Sequence, residues 1–135
     1  MTGLARDIAF RAPALPDDAC QAALLFAIDP FGLGGVCLSS RAGPQRDAWL
    51  AFLRARLPND MPERRLPNAI ADDRLLGGLD LTATLSAGKP IVQRGLLADV
   101  DNGLLIIPMA ERLDPGTAAK LCATLDQGEV RLERD

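Results

Sequence analysis

The 135-residue chain has no histidine and no tyrosine, one tryptophan and four phenylalanines. Without histidine there is no Ser-His or Cys-His nucleophile pair and no Cys-His zinc site. Acid–base work would fall to carboxylates, lysines or arginines. Three cysteines, Cys20, Cys37 and Cys122, are scattered through apolar runs. An odd, dispersed set predicts buried free thiols rather than a disulfide frame. No apolar run approaches the ~20 residues needed to cross a bilayer. The opening residues carry no signal-peptide core, so a cytoplasmic location is expected. Net charge is −3 and there is no basic block, so nothing points to nucleic acid.

What is present is aliphatic. Hydrophobic residues make up 48% of the chain and aromatics 4%, so the core is expected to be Leu, Ala, Ile and Val. The length suits one modest domain. Residues 1–16 read as an extended arm closed by Pro13 and Pro16. Asp17 or Asp18 is positioned to cap a helix through Ile28. A glycine-rich turn, Asp29 to Gly35, leads into a short strand, Val36-Cys37-Leu38. A helix follows from Asp47 to about Leu57. Pro58, Pro62 and Pro67 then enforce a loop. Leu66 to Ile70 reads as a short strand, Leu79 to Ser86 as a helix ended by Gly88, and Lys89 to Arg94 as a strand or hairpin arm. Leu96 to Val100 reads as a short helix. Leu104 to Ile107 is the clearest strand, apolar throughout and suited to burial on both faces. Asp114-Pro115 opens a helix through about Leu125, and Val130 to Glu133 a last strand. Alternating strands and helices predict an α/β fold.

One stretch has the frame of a phosphate-binding loop without its chemistry. The working pattern is Gly, four residues, then Gly-Lys-Ser/Thr between a strand and a helix. Here the candidate loop is Ser40, Arg41, Ala42, Gly43, Pro44, Gln45, Arg46 and Asp47. Ser40 stands at the first glycine, Gln45 at the second, Arg46 at the lysine and Asp47 at the hydroxyl residue. Gln45 adds a side chain where backbone should close on phosphate. Pro44 removes an amide donor. Arg46 keeps the charge in a different shape, and Asp47 repels an anion at the helix start. The strand Leu104–Ile107 lies where a P-loop ATPase carries its metal-holding Asp and water-polarising Glu. Those positions read Pro108-Met109, which cannot ligate a hard cation. Glu111 is assigned to the following turn. Asp72-Asp73 reads as a solvated or Arg-paired turn rather than a metal site. No catalytic or metal-binding residue is assigned. Arg41, Arg46, Arg54, Arg56, Arg64, Arg65 and Arg74 read as surface charges that together suit a protein interface. Trp49 is expected to pack the helix after the loop.

Several segments together resemble magnesium chelatase, in particular its D subunit. They are Ala23-Leu-Leu-Phe-Ala-Ile-Asp-Pro-Phe-Gly-Leu-Gly-Gly-Val36, Ala71-Asp-Asp-Arg-Leu-Leu-Gly-Gly-Leu-Asp-Leu81, Arg94-Gly-Leu-Leu-Ala98, Asn102-Gly-Leu-Leu-Ile-Ile107 and Gly128-Glu-Val-Arg-Leu-Glu-Arg134. They cover residues 17–135 in order. The I subunit of the same enzyme keeps an intact loop and an Asp-Glu strand end. This sequence departs at both, which is the D-subunit pattern.

The resemblance implies a P-loop NTPase fold of the AAA+ type, a three-layer sandwich. Residues 17–135 would supply its N-terminal part, with an incomplete parallel sheet and no lid domain. It implies a non-hydrolysing scaffold subunit. The whole complex would use ATP and Mg²⁺ to insert Mg²⁺ into protoporphyrin IX on the way to chlorophyll or bacteriochlorophyll. Its implied partners are the I subunit, which hydrolyses ATP, and the porphyrin-carrying H subunit, in a homo- or hetero-oligomer. This chain itself would hold no cofactor tightly. Two rivals stand beside this reading: an active AAA+ ATPase such as a MoxR-like chaperone with unusual ligands, and a nucleotide-free interaction module. The resemblance also predicts a fragment. In such sheets a later strand separates the loop strand from Leu104–Ile107. Without it, Val36–Leu38 is expected to pair with Leu104–Ile107 directly, or open strand edges to recruit other chains.

Overall fold

A computed structural model describes residues 14–130. It resolves two compact units, divided between Asn59 and Asp60. The arm before Ala14 and most of the strand expected at Val130–Glu133 lie outside the described residues.

The first unit is helical among its described residues. Helix α1 spans Asp17–Ile28, α2 Pro30–Leu33 and α3 Pro44–Arg54. Asp17 and Asp18 do not cap α1. Pro16 occupies the cap position, and the two acids fill the first turn, where their charge favours the helix dipole. Helices α1 and α3 pack through Ala23, Phe26, Trp49 and Leu53, all buried. The Trp49 indole N–H donates to the Ala19 carbonyl at 2.8 Å, so the ring is buried without an orphaned donor. The chain leaves α3 at Ala55, short of the expected Leu57. Leu57 still turns inward and is buried.

Val36–Leu38 is not a strand. The segment from Gly34 to Arg41 has no regular structure, and Val36 and Cys37 are exposed. A strand is stable only with a ladder partner. The described residues of this unit contain no other strand to supply one.

The second unit is mixed. Strand β1 is Glu63–Arg65, α4 Asp72–Leu76, β2 Gly77–Leu79, α5 Leu81–Ala87 and β3 Val92–Arg94. Then come α6 Leu96–Asp99, β4 Leu104–Ile106, a 3₁₀ turn Ala110–Arg112 and α7 Pro115–Gln127. The parallel pair expected for Leu104–Ile107 exists, but its partner is β1: Glu63 faces Leu104, Arg64 faces Leu105 and Arg65 faces Ile106. The expected strand Leu66–Ile70 therefore sits three residues too late. Pro67 can give no ladder hydrogen bond and ends the pairing after Leu66, whose N–H reaches the Ile106 carbonyl at 2.9 Å. Strand β4 is half-buried, not buried on both faces.

Strands β2 and β3 form an antiparallel pair around α5, with Gly77 opposite Arg94 and Leu79 opposite Val92. Leu79 thus belongs to a strand and the helix begins at Leu81, capped by Asp80, whose carboxylate accepts the Ala83 N–H at 2.9 Å. Gly88 ends it in the left-handed conformation, φ 65°. Asp114 caps α7 the same way, with Pro115 at the first helical position.

The core of this unit is Leu66, Leu75, Leu97 and Leu121, with Ile70, Leu105, Ile107 and Leu113 packed against it. Lys120 ties α7 to α4 through a 2.6 Å ion pair with Asp72. The cysteines are free, as expected, but not buried. Cys20 is half-buried and Cys37 and Cys122 are exposed, because Cys37 lies in irregular chain and Cys122 follows the inward-facing Leu121 on α7.

Candidate functional site

The candidate loop is contiguous and open. Ser40 to Ala42 are exposed chain, and the Ser40 hydroxyl donates to the Arg41 carbonyl at 3.0 Å. Helix α3 starts at Pro44, three residues earlier than the apolar pattern predicts, because proline's fixed φ suits the first turn. Gly43 is the cap residue at φ 151°, ψ −170°, a conformation that other residues reach only under strain.

This geometry decides which amides a phosphate could meet. The first turn of a helix leaves its leading N–H groups without internal partners. Pro44 has none to offer. The Asp47 N–H already donates to the Gly43 carbonyl at 3.2 Å. The Gln45 and Arg46 amides remain at the helix start, and no side chain caps them. The Arg46 guanidinium lies 4.0 Å from the Asp47 carboxylate, which is largely exposed. An exposed pair at that separation is weak. Even so, the carboxylate sits where the helix dipole would draw an anion. The loop thus has the helix of a phosphate site, lacks its strand, and carries its own negative charge at the mouth.

The second expected locus, the end of β4, is brought against the end of β1. Arg65, Leu66, Pro67 and Asn68 from one strand exit and Pro108 and Met109 from the other line an open cleft of about 340 Å³. The carboxyl ends of parallel strands are the usual place for ligands in α/β sheets. This cleft holds no carboxylate. Met109 is left-handed at φ 51°, uncommon for a non-glycine residue. Its carbonyl accepts the Arg112 N–H at 2.8 Å, which pins the turn. Glu111 lies on that 3₁₀ turn and is exposed, as its sequence position predicts. Sequence reasoning missed the contribution of Arg65 and Asn68. Pro67 was the available signal, since it closes β1 and turns the next residues toward the strand ends.

Several of the remaining candidates have structural partners. Asp72 pairs with Lys120, not with an arginine, and Asp73 accepts its neighbour's Arg74 N–H at 2.9 Å. Among the described residues, no three His, Cys, Asp or Glu side chains gather as a metal site. The Arg56 guanidinium lies 3.3 Å from the centre of the Phe52 ring and donates to the Phe52 carbonyl at 2.7 Å. Arg64 donates to the Glu63 carbonyl at 2.9 Å. These two arginines are held along the chain's own surface rather than reaching outward. Asp114 has its carboxyl below the usual carboxylate range, because the Thr117 hydroxyl and then the Thr117 N–H hydrogen-bond its charged form.

Comparison with known proteins extends the local geometry. No protein-family model and no solved structure matches the chain. It is 50% identical over 115 residues to the magnesium-chelatase 60 kDa subunit of Cereibacter sphaeroides, covering 84% of this chain and 20% of that protein. It is 44% identical over 106 residues to the 60 kDa subunit of Rhodobacter capsulatus, covering 78% and 18%. To the 67 kDa subunit of Chlorobaculum parvum it is 35% identical over 119 residues, covering 88% and 19%. The chain spans about a fifth of the length of these curated relatives. Across most of its residues the chain is thus 35–50% identical to magnesium-chelatase 60/67 kDa (D) subunits.

Proposed function

We propose that this chain is a non-hydrolysing, AAA+-type scaffold segment of a magnesium chelatase. In this reading residues 17–135 are the N-terminal part of a degenerate P-loop domain and residues 1–16 an arm. The whole assembly uses ATP to insert Mg²⁺ into protoporphyrin IX. One observation carries the proposal: a chain 50% identical to a magnesium-chelatase 60 kDa subunit lacks both acids at the end of β4, where Pro108 and Met109 stand. Phosphoryl transfer needs a metal-holding carboxylate and a group that orients the attacking water. Neither proline nor methionine supplies them. The start of α3 points the same way, since Pro44 and Asp47 weaken anion binding there.

The chain's role is then contact. It would join an ATP-hydrolysing I-type subunit and help couple it to the porphyrin-carrying H-type subunit. Nucleotide and Mg²⁺ would be handled by those partners. The test is co-purification of the chain with an I-type ATPase, together with MgATP turnover by the chain alone. Capture of the ATPase with no turnover above a buffer blank is the expected result. Turnover that survives Arg46→Ala would overturn the proposal in favour of an active ATPase. Failure to capture any chelatase subunit would favour a separate interaction module.

A further inference from the structure

The chain has three asparagines, and of these Asn102 is followed by glycine. Asn59 precedes Asp60 and Asn68 precedes Ala69. An asparagine before glycine has its own chemistry. With no side chain on the next residue, the glycine nitrogen can reach the asparagine's carboxamide carbon and close a five-membered ring. Asn102 is exposed, and among the described residues its carboxamide has no hydrogen-bond partner. The restraint on this reaction therefore comes from the backbone. Asn102 is left-handed at φ 54°, and the Gly103 N–H donates to the Val100 carbonyl at 2.8 Å, closing a turn over residues 100–103. Left-handed residues in turns have ψ of about 0–50°. That rotation carries the following nitrogen away from the residue's own Cβ, so the attacking atom and its target are held apart. The hydrogen bond also occupies the N–H whose proton must leave.

We infer that Asn102–Gly103 is a self-modification site gated by this turn: it is protected while the turn is closed and deamidates when the turn opens. The reaction balances with water alone. The Gly103 nitrogen bonds to the Asn102 Cγ, the Cγ–Nδ2 bond breaks, and the amide leaves as ammonia with the proton from the Gly103 nitrogen. Water then adds to either carbonyl of the cyclic imide. One opening gives aspartate. The other gives isoaspartate, whose main chain runs through the former side chain and carries one more carbon. The folded turn has no room for that carbon. A Cβ on Gly103 would overlap the Pro62 carbonyl oxygen and lie 2.8 Å from the Val100 oxygen, so the Gly103 backbone is packed against its neighbours. The next residue starts the strand pairing. The Leu104 N–H donates to the Pro62 carbonyl at 2.8 Å, and Glu63 faces Leu104. An isoaspartyl bond therefore displaces β4 at its first ladder contact with β1, and with it Leu105, which packs against the core. A chain that has once opened here is permanently marked.

Peptide mass mapping of the intact chain, incubated at mildly alkaline pH either folded or unfolded in guanidinium, tests this. In the unfolded chain Asn102 should deamidate faster than Asn59 and Asn68, where Asp60 and Ala69 put a side chain in the way. Folding should slow Asn102 by at least about tenfold, as reaction through an opened state requires. Asn102→Gly removes the carboxamide and keeps a residue suited to φ 54°. After the same unfolded incubation and refolding, the isoaspartyl fraction of the parent, resolved by chromatography, should melt lower than unreacted chain. The Asn102→Gly melt should not change. Equal rates at Asn102 in folded and unfolded chain would overturn the gate. No preference for Asn102 over the other two asparagines in the unfolded chain would overturn the site. An isoaspartyl chain that melts with the parent would overturn the displacement of β4.

Discussion

Gly95→Ala tests the packing of the second unit at a point of close backbone approach. Gly95 stands between β3 and α6, where a Cβ would lie 2.3 Å from the Gly77 nitrogen, 2.4 Å from the Leu76 carbonyl carbon and 2.6 Å from the Leu75 oxygen. All three atoms are backbone, so no rotamer change relieves the clash. The backbone must move by about 1 Å, and Leu75 beside it has no exposed surface. Overpacking of this kind costs about 1–3 kcal/mol and sometimes more; a clash with fixed backbone belongs at the upper end. Domains of this size are stable by only about 5–15 kcal/mol. A loss of about 3 kcal/mol lowers the melting temperature by roughly 12–24 °C. Gly88→Ala is the control. Nothing lies within 4 Å of its Cβ position, and only the left-handed backbone, φ 65°, is strained. That costs about 1 kcal/mol, or roughly 4–8 °C. Thermal melts followed by far-ultraviolet circular dichroism measure both. A Gly95→Ala melt within the Gly88→Ala range, or a Gly88→Ala variant that melts lower, would refute the reasoning.

Leu75→Ala should destabilise by about 2–5 kcal/mol in urea unfolding, whereas Cys122→Ala, on the exposed face of α7, should shift stability by less than about 0.5 kcal/mol. Asp114 titrates below the usual carboxylate range in the folded chain. Its contribution to stability is therefore present above the unfolded value of about 3.9 and is lost as pH falls through the folded value. Asp114→Asn should flatten the acid side of a stability–pH profile and leave its neutral side parallel to the parent. Gln45→Gly combined with Asp47→Ser should bind ATP more tightly than the parent by calorimetry, since it removes a side chain and a negative charge from the start of α3; equal or weaker binding would count against the phosphate-loop reading.

Helices α1, α3, α5, α6 and α7 were legible because their signals are local, although α3 starts three residues before and α5 two residues after the sequence reading, and α2 and α4 lie where the sequence reads turns. Asp114-Pro115 and Gly128 bracket α7, Gly88 ends α5, and Trp49 lies on the inward side of α3 through a hydrogen bond within its own unit. The loop substitutions at Gln45, Arg46 and Asp47, and the Pro108-Met109 pair, are also plain in the sequence. They concern side-chain chemistry that no packing can restore: proline has no amide hydrogen, and methionine is not a carboxylate. The likeness to magnesium-chelatase subunits was legible for the same reason, as ordered segments of residue identity.

Tertiary structure decided what depends on a partner far along the chain. An apolar triplet such as Val36–Leu38 becomes a strand only when another strand supplies its ladder, and none does so within its unit among the described residues. Glu63–Arg65 is charged and reads as loop, yet it is a strand because β4 offers a parallel edge beside it. The same pairing carries Arg65 and Asn68 to the end of β4 and creates a cleft that neither segment predicts alone. Exposure followed the same rule. Whether Phe31, Cys37 or Cys122 is covered depends on which surfaces meet in space. Residue type records only that covering an apolar side chain would be favourable.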